Sequence, residues 1–286
     1  MRFAFVAEAR ATWPVAAVCR NLGVTPAGYY AWKGRPASPR ATATATLVEG
    51  VKSVFAEGRG TFGSPRVYRA LRARGLACCV NTVAKLLKSS GLAACPRRRQ
   101  PRPAGPGDGT NAATPNLLDR QFAATRADEK WVSDITFIPT GEGWHYLAAV
   151  LDLSSRRIVG WAMGASADAA LTARALAMAV ANRRPGPGLL VHSDRGCQYT
   201  GAEYRAAAAG HGVTLSFSRK GNCWDNAPME SFFASLKKDL VFRESFATRA
   251  VAERSIFEYV EVFYNRVRLH SSLGYVAPAT FESLQP

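Results

Sequence analysis

The sequence predicts an α/β core behind an all-α, basic N-terminal region. Three observations carry that prediction. Residues 1–93 place apolar side chains at helical spacing, residues 94–113 turn abruptly to Pro, Gly and Arg, and the remainder alternates between strand-like and helical runs. The expected organisation is a helical, basic DNA-binding region at 1–93, a flexible basic linker at 94–113, and a core with a helical C-terminal extension at 114–286.

Taken in order, Val15, Val18 and Leu22 form one helical stripe, Gly23 turns the chain, and Thr25 with Pro26 opens a second helix carrying Tyr29, Tyr30 and Trp32. A second unit starts at Pro65. Val67, Tyr68 and Leu71 give its apolar face, Gly75 breaks it, Asn81 is a candidate cap, and Val83, Leu86 and Leu87 face inward with Lys85 and Lys88 outside. Gly91 supplies the stop. Each unit is a helix-turn-helix candidate, with a plain helical hairpin as the alternative. In the linker, Arg97, Arg98 and Arg99 stand among four prolines and three glycines.

Strands are expected from Trp131 to Ile138, Trp144 to Leu151 and Arg157 to Met163, joined by short Gly- and Ser-containing turns that imply antiparallel pairing. An Ala-rich helix from about Ala167 to Asn182, a buried strand at Leu189 to His192, a helix near Ala202 to His211 and a strand at Val213 to Phe217 then imply a parallel half. Three antiparallel strands followed by two parallel ones, with helices on both faces, is the order of a ribonuclease-H-like fold.

Charge and cysteine usage narrow the function classes. The formal net charge is +16, and residues 1–126 hold 20 Lys and Arg against 5 Asp and Glu, so the front of the chain is the polyanion-binding candidate. Two helical units on that segment favour DNA over a membrane surface. The six cysteines form no CxxC pair and the four histidines are scattered, which argues against a zinc framework or a disulfide scaffold and fits a reducing cytosol. Met1 to Ala17 lacks a long apolar core, so no signal peptide or membrane span is expected.

Three carboxylates stand out from the 21 acids by their surroundings. Asp134 lies inside the first strand among Trp131, Ile135, Phe137 and Ile138, where an ionised group is costly unless it meets a cation or hydrogen-bond donors. Asp194 follows the short strand, where open α/β sheets place their ligand crevice. Glu230 sits in the first turn of a helix begun by Asn226 and carrying Pro228. Converging carboxylates supply hard oxygen ligands for Mg²⁺ or Mn²⁺, and two ions about 3.5–4 Å apart hold the attacking and leaving oxygens of an in-line displacement at phosphorus. Lys237, seven residues after Glu230, falls on nearly the same helix face about 10.5 Å further along, within reach of a phosphate. A surface lysine beside Lys238 is the alternative.

Five blocks make the pattern specific: TrpValSerAspIleThrPheIle at 131–138, LeuAspLeuSerSerArgArgIleValGlyTrp at 151–161, HisSerAspArgGlyCysGlnTyrThr at 192–200, ArgLysGlyAsnCysTrpAspAsnAlaProMetGluSerPhePhe at 219–233, and TyrAsnArgValArgLeuHisSerSerLeuGlyTyr at 264–275. From about Asn116 onward the chain resembles the integrase-core transposases of the insertion-sequence-three family, relatives of retroviral integrases. The resemblance implies a DDE site at Asp134, Asp194 and Glu230 and a DNA-contacting lysine at Lys237. The stretches at 19–32 and 61–71 resemble the family's helix-turn-helix region, with a variant turn at Thr61 to Pro65. Cys197 and Cys223 depart from the expected small residues.

Other residues receive lesser roles. Asp152 is expected to support the turn into Ser154 and Arg156, His192 and His270 to position or pack, and Asn226 to cap its helix. Arg195, Lys220, Arg266 and Arg268 are candidate phosphate contacts, with solvated surface as the alternative. The expected function is a DNA transposase that cleaves and joins strands with two divalent ions, acting in the cytoplasm at the nucleoid on terminal inverted repeats and target DNA. The resemblance further implies a homo-multimer that synapses two ends, and a possible fusion with an upstream reading-frame product. A stand-alone nuclease and a DNA-binding regulator with a decayed core are the rival readings.

Overall fold

The computed structural model describes residues 1–36, 38–94, 115–219 and 223–285. Arg97, Arg98, Arg99 and Lys220, with nearly all of the expected linker, lie outside the described residues. The chain divides into two compact units, Met1–Ser53 and Val54–Pro286, a division that falls inside the segment expected as one helical region.

In the first unit, α1 (Arg2–Ala9), α2 (Val15–Asn21) and α3 (Pro26–Lys33) pack around buried Val6, Val18, Cys19 and Tyr29. The turn between α2 and α3 uses Gly23 at φ +62°, and the Thr25 hydroxyl accepts from the Gly28 amide at 3.1 Å, as the Thr-Pro signal requires. Helix α1 is not legible in sequence, because its run is apolar on more than one face: Phe3, Val6, Ala7 and Ala9 pack inward while Phe5 is exposed. The nineteen-residue α4 (Pro39–Glu57) follows.

The second unit begins with the end of α4, then α5 (Ser64–Ala73) and α6 (Val80–Ser89), joined at Gly75 and packed through Val67, Leu71, Val83 and Leu87. Lys85 and Lys88 are exposed, as expected. The cap of α6 is Cys79 rather than Asn81, because the chain is still extended at Cys79 and Asn81 already lies within the helix. This helix pair docks on the C-terminal block. The Arg66 Nε donates to the Leu269 carbonyl at 2.8 Å, Phe62 meets Phe263, and Arg59 and Arg69 lie over the rings of Phe263 and Tyr275.

The core sheet has the order β3-β2-β1-β4-β5, built from β1 (Lys130–Thr140), β2 (Gly143–Asp152), β3 (Ile158–Gly164), β4 (Leu190–Ser193) and β5 (Thr214–Phe217). The β1–β2 and β2–β3 pairs are antiparallel; β4 runs parallel to both β1 and β5. This is the ribonuclease-H-like arrangement. Helix α7 (Ala169–Arg183) lays Leu171, Ala175 and Ala179 against Ala148, Val150 and Val159, and the approach is close enough that a Cβ on Gly160 would lie 2.4 Å from the Ala175 carbonyl oxygen. Alternate β2 residues Leu147, Ala149 and Leu151 are equally buried, so both faces are covered.

Between β4 and β5 run α8 (Cys197–Thr200) and α9 (Ala202–Gly210). Past β5, a 3₁₀ turn at Cys223–Asn226 leads into α10 (Ala227–Leu236), whose backbone widens into a π-helical turn at Lys237–Val241. Then come α11 (Arg249–Phe257), a second π-helical stretch at Glu258–Tyr264, and α12 (Pro278–Ser283). Among the described residues no helix is long and apolar enough to cross a membrane.

Candidate active site

The register of β1 and β4 relates the positions of the first two carboxylates. Val132 pairs with His192 across the parallel ladder, and Asp134 and Asp194 each stand two residues beyond that pair. The ladder ends at that pair and β4 ends at Ser193, so Asp134 continues along β1 while Asp194 stands on the turn just past β4. The Asp134 Oδ1 accepts from the Ile135 amide at 2.8 Å, and the Asp194 Oδ1 from the Gly196 amide at 2.9 Å. A Cβ at Gly196 would lie 2.6 Å from the Gln198 Oε1, the movable end of that side chain, and 3.1 Å from the Asp194 Oδ1. Asp194 is exposed at the rim, yet the protein mass around it desolvates its carboxyl and pushes its pKa up, with the Gly196 amide opposing and solvent on one side limiting the rise.

Beyond Val132 the short strand β4 no longer covers β1, and α10 takes that edge. The Asn226 Nδ2 donates to the Ser133 carbonyl at 3.1 Å, which docks the start of α10 beside Asp134 and brings in half-buried Glu230 one turn later. Asn226 occupies the N-cap position but its side chain makes no cap bond, so this tie to β1 replaces the expected cap. Lys237 is half-buried. Desolvation lowers its pKa while Asp134 opposes the shift, and its Nζ sits 4.3 Å from the centre of the Phe137 ring.

His192 is fully buried and works as a strut. The Leu117 and Leu118 amides both donate to the Ser216 Oγ, leaving that hydroxyl to donate to the His192 Nδ1 at 2.8 Å. The Nε2 then faces the Ser218 Oγ at 3.1 Å, and Ser218 donates to the Ser193 carbonyl. Burial drops the His192 pKa to about 4, so the ring is neutral and fixes the β4 end that presents Asp194.

One residue escaped sequence reasoning. Asp225, fully buried, accepts from the Asn116 Nδ2, the Arg120 Nε, and the Arg219 amide, Nε and Nη2 at 2.8–3.1 Å. Arg219 holds its carboxyl well below the usual carboxylate range, against a smaller desolvation effect. It pins the approach to α10. Its place one residue before Asn226 in the motif was the available signal.

The remaining candidates separate. Arg266 is exposed, which leaves both the phosphate contact and the solvated surface open to it. The Arg195 Nε is committed to the Ser218 carbonyl at 2.7 Å. Arg268 is buried against Asp239 at 3.1 Å, so the expected DNA contact there gives way to an internal ion pair. Asp152 accepts from the Asp128 and Ser155 amides and the Ser155 hydroxyl, supporting its turn as expected. Among the described residues no three His, Cys, Asp or Glu side chains are gathered tightly enough to hold a metal ion as they stand. Asp134 lies within β1, Asp194 just past β4 and Glu230 on the flanking helix.

A sheet of this order, with one carboxylate within its central strand and another just past the neighbouring parallel strand, is the arrangement of the integrase class of polynucleotidyl transferases. Two Integrase core domain models match residues 124–223 and 211–278, and an HTH-like domain model matches residues 43–101. The chain is 38% identical over 285 residues to the Transposase InsF for insertion sequence IS3A of Escherichia coli (strain K12), covering 99% of each. It is 39% identical over 264 residues to the Insertion element IS600 uncharacterized 31 kDa protein of Shigella sonnei, covering 92% of this chain and 97% of that one. Among solved structures, the HTLV-2 integrase catalytic core domain in complex with magnesium aligns at a TM-score of 0.44 and 12% identity over 56% of this chain and 99% of that one. A simian T-cell lymphotropic virus intasome chain aligns at 0.48 and 13% over 76% and 72%. The chain belongs to the IS3 family of insertion-sequence transposases, with an integrase core and an HTH-like DNA-binding domain.

Proposed function

We propose that Asp134, Asp194 and Glu230 are the DDE triad of this transposase and that together they hold two Mg²⁺ or Mn²⁺ ions. The observation that carries the reading is the placement of Asp134 and Asp194 two residues beyond the Val132–His192 pair, with α10 tied to the adjoining edge at Ser133. When bound, two such ions supply Lewis-acid stabilisation of the attacking and leaving oxygens. The chain's own residues do the rest. The two aspartates fix the donor spacing from a rigid sheet, and Glu230 closes the site from the helix. Lys237 meets a phosphate of the element end, and Arg266 with the basic front of the chain holds the flanking duplex.

The chemistry is two in-line displacements at phosphorus. Water first breaks a phosphodiester at the element end, leaving a 3′-hydroxyl; that hydroxyl then attacks a target phosphodiester, forming the new strand joint and releasing a target 3′-hydroxyl. No protein nucleophile is required. Residues 1–93 bind terminal inverted repeats in this reading, Lys85 and Lys88 contribute phosphate contacts, and a homo-multimer, with or without fusion to an upstream product, brings two ends together.

The test incubates the full chain with Mg²⁺ and duplex DNA carrying the flanking terminal repeats, and scores cleavage and strand transfer. Glu230→Gln is expected to eliminate both while end binding persists. Full activity in that variant would sink the assignment. Cleavage of unrelated DNA without joining would instead indicate a nuclease, and end binding without chemistry in the unaltered chain a regulator.

A further inference from the structure

Helix α10 ends at Leu236, and the turn that follows is π-helical: the Phe242 amide donates to the Lys237 carbonyl at 2.8 Å, five residues back. Such wide turns are rare and gather at functional sites. Lys237 is the first residue of this one. Arg268 brackets it from both sides, its Nη2 donating to the Ser235 Oγ at 2.9 Å and its Nε to the Asp239 Oδ2 at 3.1 Å. The Tyr259 hydroxyl donates to the same Asp239 oxygen at 3.3 Å. Both charged partners are enclosed, with 9% and 3% of their side chains exposed. Across the junction the Lys237 amine rests on Phe137, three residues along β1 from Asp134.

We propose that Arg268 is a positioning residue: by clamping Ser235 and Asp239 on either side of the α-to-π junction, it fixes Lys237 on the Phe137 ring at the β1 edge, from which the amine meets the phosphate at the reacting end. The inference rests on the reading of Lys237 as a phosphate contact. It requires a fork. A guanidinium holds two acceptors in fixed geometry, whereas the single ammonium of a lysine on a flexible stem does not. Losing the fork also leaves Asp239 buried without its cation, which loosens the turn.

Strand transfer by the full chain with Mg²⁺ and an element-end duplex is measured for Arg268→Gln, Arg268→Lys, Lys237→Gln and the Arg268→Gln/Lys237→Gln pair. Misplacement of a contact group by about 1 Å costs about 100-fold in rate, and a loss of that order is expected for Arg268→Gln with end-binding affinity nearly unchanged. Arg268→Lys is expected not to rescue it. In the Lys237→Gln background, Arg268→Gln should cost little more, since it acts through that lysine. Additive losses, or rescue by lysine, overturn the proposal. If thermal unfolding shows that Arg268→Gln does not fold, Ser235→Ala removes one arm alone and enters the same cycle. If Lys237→Gln costs nothing, or the unaltered chain transfers no strands, the functional reading is what fails. Hydrogen exchange of the Phe242 amide then decides the clamp: faster exchange in Arg268→Gln upholds it, and an unchanged rate overturns it.

Discussion

A buried carboxylate that accepts five hydrogen bonds behaves differently from the solvated acid it resembles in sequence. Asp225→Asn replaces an ionic acceptor with a neutral amide facing Arg219 and Arg120, and loses charge-assisted bonds worth about 2 kcal/mol in net stability. Urea unfolding should show that loss, and strand transfer should fall further than stability does, because the residues before α10 lose their anchor. His270 gives the pH counterpart. Burial first, then Arg268, Arg66 and Arg156, depress its pKa from 6.5 to about 3, and its ring lies 4.9 Å from that of Tyr264. A depressed folded pKa means full stability above the unfolded value and loss as pH falls: the unfolded chain takes up the proton from about 6.5 downward, and the folded one only near 3. Stability should therefore decline by up to about 1.4 kcal/mol per pH unit through that window, and His270→Gln should flatten the decline in denaturation curves taken across it. A slope unchanged by the substitution would show that other groups carry the acid loss. The places of Asp134 within a strand, Asp194 just after one and Glu230 in the first turn of a helix were legible, because apolar periodicity marks those elements. Arg268 and Asp225 were not, since a charged residue has the same letter whether it meets solvent, phosphate or a buried partner.

At the scale of elements, the strands were the most legible part, because each alternates toward a covered sheet and ends at a turn signal. Their order and pairing in the structure follow the expected hairpins and crossovers. Two kinds of feature stayed hidden. The π-helical turns at Lys237–Val241 and Glu258–Tyr264 leave the 3.6-residue pattern too little disturbed to notice, and are held by partners remote in sequence, Arg268 for one. The docking of α5 and α6 through Phe62 on Phe263 and Arg66 on Leu269 likewise joins positions about two hundred residues apart, beyond any local pattern. The contact between β3 and α7 is a packing test. Gly160→Ala would drive its methyl to 2.4 Å from the Ala175 carbonyl oxygen and 2.5 Å from the Ala179 nitrogen, so helix or strand must shift. Overpacking of that kind costs about 1–3 kcal/mol. Thermal unfolding of the variant should show a clearly lowered midpoint, and an unchanged midpoint would mean that α7 slides along the sheet without penalty.

The charge of the whole molecule is concentrated in its first 126 residues, and on the proposed reading this basic front holds the DNA. Phosphate neutralisation releases counterions, so log affinity falls linearly with log salt at about 0.9 per phosphate contacted. Six or more contacts from the basic front would cost about 1,000-fold between about 50 and 200 mM salt. The sequence alone invites the measurement on residues 1–126, but the structure argues for the full chain: Phe62, 3% exposed, packs on Phe263 and Arg66 bonds to Leu269, and a fragment ending at 126 lacks both partners and bares an aromatic surface. In the full chain Lys85 and Lys88 remain on the exposed side of α6, away from its buried Val83 and Leu87. Replacing each by alanine should leave folding intact and reduce the salt slope by about one per lysine that meets a phosphate. Fluorescence anisotropy with an element-end duplex at several salt concentrations reads both quantities. A slope that stays the same in the double variant would remove α6 from the DNA interface and leave the front's charge to act through other residues; binding insensitive to salt would remove phosphate contact as the basis of end recognition altogether.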